Sequence, residues 1–162
     1  MSINRVVINS SPLIVLFKSQ QAELLPQLFQ EILVPEAVWH EITAPGKNDL
    51  PSRQLPTVAW AQQIKTITVA PEVALWDLGK GESEVLSLAL NLTGHAVIID
   101  DRAARRCARS LGLITIGTGR VLLLAKQRGL IPSIRQILDD LIAQGTYISQ
   151  KLYQDVLTQA QE

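Results

Sequence analysis

"VVINSSPLI", residues 6–14, runs from an apolar, β-branched stretch through Asn9-Ser10-Ser11 into a second apolar segment opened by Pro12. Apolar residues on consecutive positions suit a strand buried on both faces, as in a parallel sheet. With Arg5 the strand reads "RVVIN" (5–9), and Ser11-Pro12 reads as a helix start, serine as cap and proline in the first helical position. Polar residues therefore stand directly where a buried strand ends.

The alternation continues along the chain. "AELLPQLFQ" (22–30) predicts a short helix, "EILVP" (31–35) a strand and "PEAVWHEI" (35–42) a helix opened by Pro35. "TAPGKNDLPSRQLP" (43–56), with three prolines, reads as a long surface loop able to cover a site. "AWAQQI" (59–64) is expected to be helical, "KTITVA" (65–70) a strand, and "GKGESEVLSLALNLTG" (79–94) a helix closed by Gly94. "HAVIIDD" (95–101) predicts a strand, "RAARRCARSLG" (102–112) a helix, "LITIGTG" (113–119) a strand and "RVLLLAKQRGL" (120–130) a helix, with amphipathic helices over 133–144 and 149–161. Strands alternating with helices predict an α/β domain with a mostly parallel sheet, right-handed crossovers and helices on both faces.

At 162 residues, 47% of them apolar, the chain is expected to form one domain over 1–162. Fifteen Lys and Arg balance fifteen Asp and Glu, so attraction to nucleic acid has to come from a local patch. Cys107 has no partner for a disulfide, no signal peptide is recognisable, and no apolar run reaches the roughly eighteen residues of a membrane span. The expected setting is cytoplasmic, away from membranes. His and Cys are too few for a typical zinc cluster.

In a doubly wound sheet, ligands gather beyond the carboxyl ends of the strands. Asn9-Ser10-Ser11, Asp100-Asp101 and Gly117-Thr118-Gly119 each follow a strand and are expected to face one crevice. Glu41, and Glu82 with Glu84 behind two glycines, lie on neighbouring helices. Convergence of Glu41, Glu82 or Glu84, and Asp101 assembles hard oxygen ligands suited to Mg²⁺ or Mn²⁺. Such a cluster serves phosphodiester hydrolysis, in which the metal lowers the pKa of a water. Glu82 and Glu84 are two apart and point in different directions on a regular helix, so at most one is a direct ligand. Arg102, Arg105, Arg106 and Arg109 make a local basic face, which either binds phosphates beside the carboxylates or pairs with surface acids. Lys80 in "GKGE" is within reach of a phosphate without Walker spacing, and Trp39, Trp60 and Trp76 read as packing residues.

Four motifs, "INSSPLI", "VPEAVWHEI", "GKGESEV" and "IIDDRAARR", in this order and spacing, resemble the small bacterial and archaeal members of the PIN domain family, related to toxins of toxin–antitoxin pairs. The resemblance covers about residues 4–130. It implies a three-layer α/β/α sandwich, a Mg²⁺- or Mn²⁺-dependent ribonuclease activity and, for some relatives, an antitoxin partner. Carried across, it puts Asn9 in place of the first acid, Glu41 second, Glu84 or Glu82 third, and Asp101, with Asp100 beside it, fourth. Ser10, Ser11, Lys80, Arg102, Arg105, Arg106 and Thr118 are then the candidates for RNA contact. Typical active members have Asp where this chain has Asn9. An amide oxygen coordinates a cation but brings no charge, so a silent module that binds RNA or a protein is the competing expectation. A receiver-like phosphoacceptor domain is a more distant one. The apolar stripe Ile134, Ile137, Leu138 and Leu141 either closes the core or forms a homodimer seam.

Overall fold

The computed structural model describes residues 3–162. Five strands, β1 (Arg5–Ile8), β2 (Glu31–Pro35), β3 (Ala61–Ile64), β4 (His95–Ile98) and β5 (Thr115–Ile116), form one sheet in the order β3-β2-β1-β4-β5. Every neighbouring pair is parallel. Burial explains the central strands: Val6, Val7, Ile8, Val97, Ile98 and Ile99 are fully enclosed, which requires apolar side chains on both faces.

The helices are α1 (Ser10–Lys18), α2 (Leu24–Leu28), α3 (Glu36–Thr43), α4 (Leu50–Gln54), α5 (Pro71–Ala74), α6 (Lys80–Asn91), α7 (Arg102–Ser110), α8 (Thr118–Gln127), α9 (Ile134–Ala143) and α10 (Gln150–Gln159). The chain steps from β1 to β2 in one direction and from β4 to β5 in the other, so right-handed connections place helices on opposite faces. Helix α6 packs across β1, β2 and β4 with α7 beside it, while α2, α8, α9 and α10 pack together in the other layer. The result is an α/β/α sandwich, and its sheet changes direction between β1 and β4.

Several local expectations give way to tertiary pairing. Residues 59–64 place Trp60, Ala61 and Ile64 at helical spacing, yet 61–64 pair with β2 as the edge strand β3, because the outer edge of β2 needs a partner. The predicted strand 65–70 is irregular, broken by Thr66 at φ +59°. Within the expected loop 43–56, the Asp49 side chain accepts from the Ser52 N–H at 3.2 Å and starts α4, whose Pro51 is buried; here proline marks a helix start. Helix α1 begins one residue before the predicted serine cap, with Asn9 at the N-cap position. Helix α6 ends at Asn91 because Leu92 is extended, and Gly94, at φ +83°, turns the chain into β4 without capping the helix.

One apolar cluster extends from β1 to Ala160, so Ile134, Ile137, Leu138 and Leu141 close the core. The Glu162 carboxylate joins α8, α9 and α10: it accepts from Lys126 Nζ at 2.8 Å, Ser133 Oγ at 2.8 Å, and the Ile134 and Arg135 N–H groups at 2.7 and 3.1 Å. Partial burial opposes its charge, but these donors outweigh it and hold the carboxyl down at about 2. Burial pushes the Cys107 thiol up, making it a packing residue. Trp60 stacks on Phe17 with ring centroids 6.0 Å apart. No helix among the described residues is long and apolar enough to cross a membrane.

Candidate active site

The crevice outside β1 and β4 is built by register. Ile8 lies level with Ile98, and the Asn9 N–H donates to the Ile98 carbonyl at 3.0 Å, so Asn9 and Asp100-Asp101 leave adjacent strands at the same sheet edge. This is the point at which the strand order reverses, where open α/β sheets gather ligands.

Asn9 occupies the N-cap position of α1 but caps nothing, since its side chain accepts no helix N–H. It is 2% exposed, and among the described residues its Oδ1 is the one buried side-chain oxygen or nitrogen without a hydrogen-bond partner. An asparagine there ordinarily turns inward to satisfy the first helical turn. Instead this oxygen faces the start of α6, where a Cβ on Gly81 would lie 3.4 Å from Asn9 Oδ1 and 3.7 Å from Glu41 Oε2. The backbone at Gly81 is thus approached by both the first-strand amide and the α3 carboxylate, with Val38 Cγ2 at 3.5 Å from the same point. Its importance is a feature the sequence shows only as one of two glycines before "ESE".

The acid pair has a different arrangement. Asp101 is the N-cap of α7 and accepts from the Ala104 N–H at 2.9 Å. Asp100 reaches across to α8, accepting from the Thr118 N–H at 2.8 Å and the Thr118 hydroxyl at 2.6 Å. Two successive carboxylates therefore start two different helices, and the oxygen Asp101 Oδ1 is left outside the cap. The Arg105 guanidinium lies over Gly117, 3.1 Å from where its Cβ would be, close to Asp100 Oδ1 on the same glycine. Arg105, Ser11 and Thr118 line one cleft with Asp100, whereas Arg102, Arg106 and Lys80 are exposed.

The two glutamates of α6 part company as their spacing predicts. Glu82 bends back over Gly79, its Oε2 in the space a Cβ would occupy. Glu84 is buried, and its Oε1 accepts from the Ala37 N–H of α3 at 2.9 Å. Lys47, from the segment after α3, donates to the Glu41 carbonyl at 2.7 Å, a tie that nothing in the local sequence announces.

A family model described as a PIN domain matches residues 5–162. The chain belongs to the PIN domain family. No curated protein matches it. PIN domains are generally nucleases that act on nucleic acid and typically use divalent metals, so this PIN domain has a nuclease-type fold. Among the described residues no three His, Cys, Asp or Glu side chains stand together as a ready metal cluster. What this PIN domain does offer is an orphaned buried oxygen on Asn9 and the Glu41 carboxylate, both packed against Gly81, where no side chain comes between them and the helix backbone. Those hard oxygen donors fit a divalent cation of the Mg²⁺ or Mn²⁺ type.

Proposed function

We propose that this PIN domain is a cytoplasmic, Mg²⁺- or Mn²⁺-dependent endoribonuclease with its site at the crevice between β1 and β4. The observation that carries the proposal is the unpartnered, buried Asn9 Oδ1, which packs against Gly81 together with Glu41 Oε2. A buried oxygen left without a donor costs about 1–3 kcal/mol, which a bound cation recovers. A divalent ion held there supplies Lewis acidity toward the scissile phosphate and a water of lowered pKa. Asn9 and Glu41 hold it, with Asp101 Oδ1 as the further oxygen at the same sheet edge. Glu82, at the N-terminus of α6, adds negative charge to the rim. Arg105, beside Ser11 and Thr118 in the adjoining cleft, receives the substrate phosphate and offsets the charge of the leaving oxygen. Arg102, Arg106 and Lys80 attract the rest of the strand from the exposed rim, with Ser10 behind Ser11.

A second reading rests on the same residue. Asn9 contributes no charge, so the module binds RNA, or a protein such as an antitoxin, and cuts nothing. Cleavage of a mixed RNA substrate across a Mn²⁺ titration separates the two. The set is wild type, Asn9→Asp and Asp101→Asn, the last chosen because asparagine keeps the α7 cap while removing the charge. Activity in wild type, raised by Asn9→Asp and lost in Asp101→Asn, supports the nuclease. RNA binding without cleavage in wild type, with cleavage gained in Asn9→Asp, supports the silent module. A toxin role for the nuclease predicts growth arrest on expression that Asp101→Asn relieves.

A further inference from the structure

We infer that Glu84 is a positioning residue, which through its Oε1 clamps the first turn of α3 and so fixes Glu41 at the crevice. The inference deepens the proposed function and rests on Glu41 being part of that site.

The need for the clamp arises in the sequence of α3. Its N-cap is Pro35, which has no side-chain oxygen, so the first-turn N–H groups have no local acceptor. Proline also closes β2, which leaves helix and strand joined without a loop residue that might serve instead. The missing acceptor comes from 47 residues further on: Glu84 Oε1 takes the Ala37 N–H at 2.9 Å. A carboxylate at a helix N-terminus is favoured by the macrodipole as well as by the hydrogen bond itself. Ala37 lies one turn before Glu41 on the same helix, so the anchor and the candidate ligand share one rigid element.

Helix α6 repeats the device. Ser87, one turn beyond Ser83 and fully buried, accepts the Ala70 N–H at 3.0 Å. Its buried polar residues Glu84 and Ser87, at i and i+3, each take a backbone N–H from a different neighbouring segment. Gly81, on the first turn of the same helix, meets Asn9 and Glu41 directly. One helix thereby places its backbone against the site and, a turn later, holds the element that carries Glu41.

The clamp is read by amide exchange in the metal-free protein, and its link to Glu41 by Mn²⁺ affinity, on wild type, Glu84→Ala and Glu84→Gln. Glutamine keeps the acceptor oxygen and loses the charge. Loss of a charge-assisted hydrogen bond predicts Ala37 exchange faster by roughly tenfold to a hundredfold in Glu84→Ala. Glu84→Gln is expected to keep Ala37 protection near wild type and to bind Mn²⁺ more tightly than Glu84→Ala. Unchanged Ala37 exchange in Glu84→Ala overturns the clamp. Mn²⁺ affinity that is the same in Glu84→Gln and Glu84→Ala, with Ala37 protected only in the first, overturns the link from the clamp to Glu41; Glu84→Leu, which fills the volume without an acceptor, takes the place of the alanine variant should that not fold. A wild type that binds no Mn²⁺ defeats the metal reading of the site, while Ala37 exchange still decides the clamp.

Discussion

Asn9 shows how one side chain is left unpartnered by being denied its local role. Its type suits a helix cap, and the fold gives it the N-cap position that the sequence reading assigned to Ser11; yet its side chain caps nothing and its oxygen packs against Gly81. Gly81 then tests the proposed site. A methyl group there fits at ordinary contact distance, 3.4 Å from Asn9 Oδ1 and 3.7 Å from Glu41 Oε2, but sets an apolar group against both oxygens. Gly81→Ala is therefore expected to leave the thermal midpoint unchanged or higher, since alanine is favoured over glycine in a helix by about 0.5–1 kcal/mol. Metal-dependent cleavage should fall by about a hundredfold, as displacement of reacting groups by an ångström does elsewhere. Paired melting and cleavage assays check this, and a parallel loss of both would show that Gly81 matters only to packing. That the first strand ends in polar residues at the carboxyl edge of the sheet was legible from the triplet after a buried run. The orphaned oxygen was not, because hydrogen-bond satisfaction depends on groups more than seventy residues away.

Helix starts carry much of the chemistry in this molecule. Asp100 and Asp101 attract attention as two acids ending a buried strand, and each begins a helix: α8 through Thr118 and α7 through Ala104. Asp100→Ala is expected to cost about 1 kcal/mol, in the 0.5–2 kcal/mol range of lost caps, seen as a lower midpoint in thermal or urea unfolding. Asp101→Asn should unfold like wild type, so its effect on cleavage reads the charge and not the helix. The acid pair could be found by inspection, since negative charge at the end of a buried strand needs a use. Its division between two helices could not, because Thr118 lies 18 residues downstream and reaches Asp100 only through the pairing of β4 with β5. The exchange of helix for strand at 59–64 has the same origin: alternative periodicities fit six residues equally well, and the free edge of β2 selects one of them.

Across the molecule, the C-terminal hairpin is docked by two devices that can be tested apart. A Cβ on Gly119 would come within 2.9 Å of Val156 Cγ2, so Gly119→Ala should force α10 from α8 and cost about 1–3 kcal/mol. Glu162 ties the same helices electrostatically. Its carboxyl is held at about 2 against an ordinary 4.5, so the native state favours the ionised form. Its contribution is complete above pH 4.5 and is lost as the pH falls toward 2; with one side open to solvent it amounts to about 1 kcal/mol. Acid unfolding of wild type should carry this extra slope, and Glu162→Gln should lack it. Outside residues 43–74 the order of strands and helices, with the parallel sheet and the residues at its carboxyl edge, follows from the chain alone, because burial on two faces and periodicity are local properties. Which oxygens are left unpaired, which acids are consumed as caps, and that Glu84 reaches the start of α3 are set by folding. Each of these is a contact between segments whose separation in sequence contains no record of their distance in space.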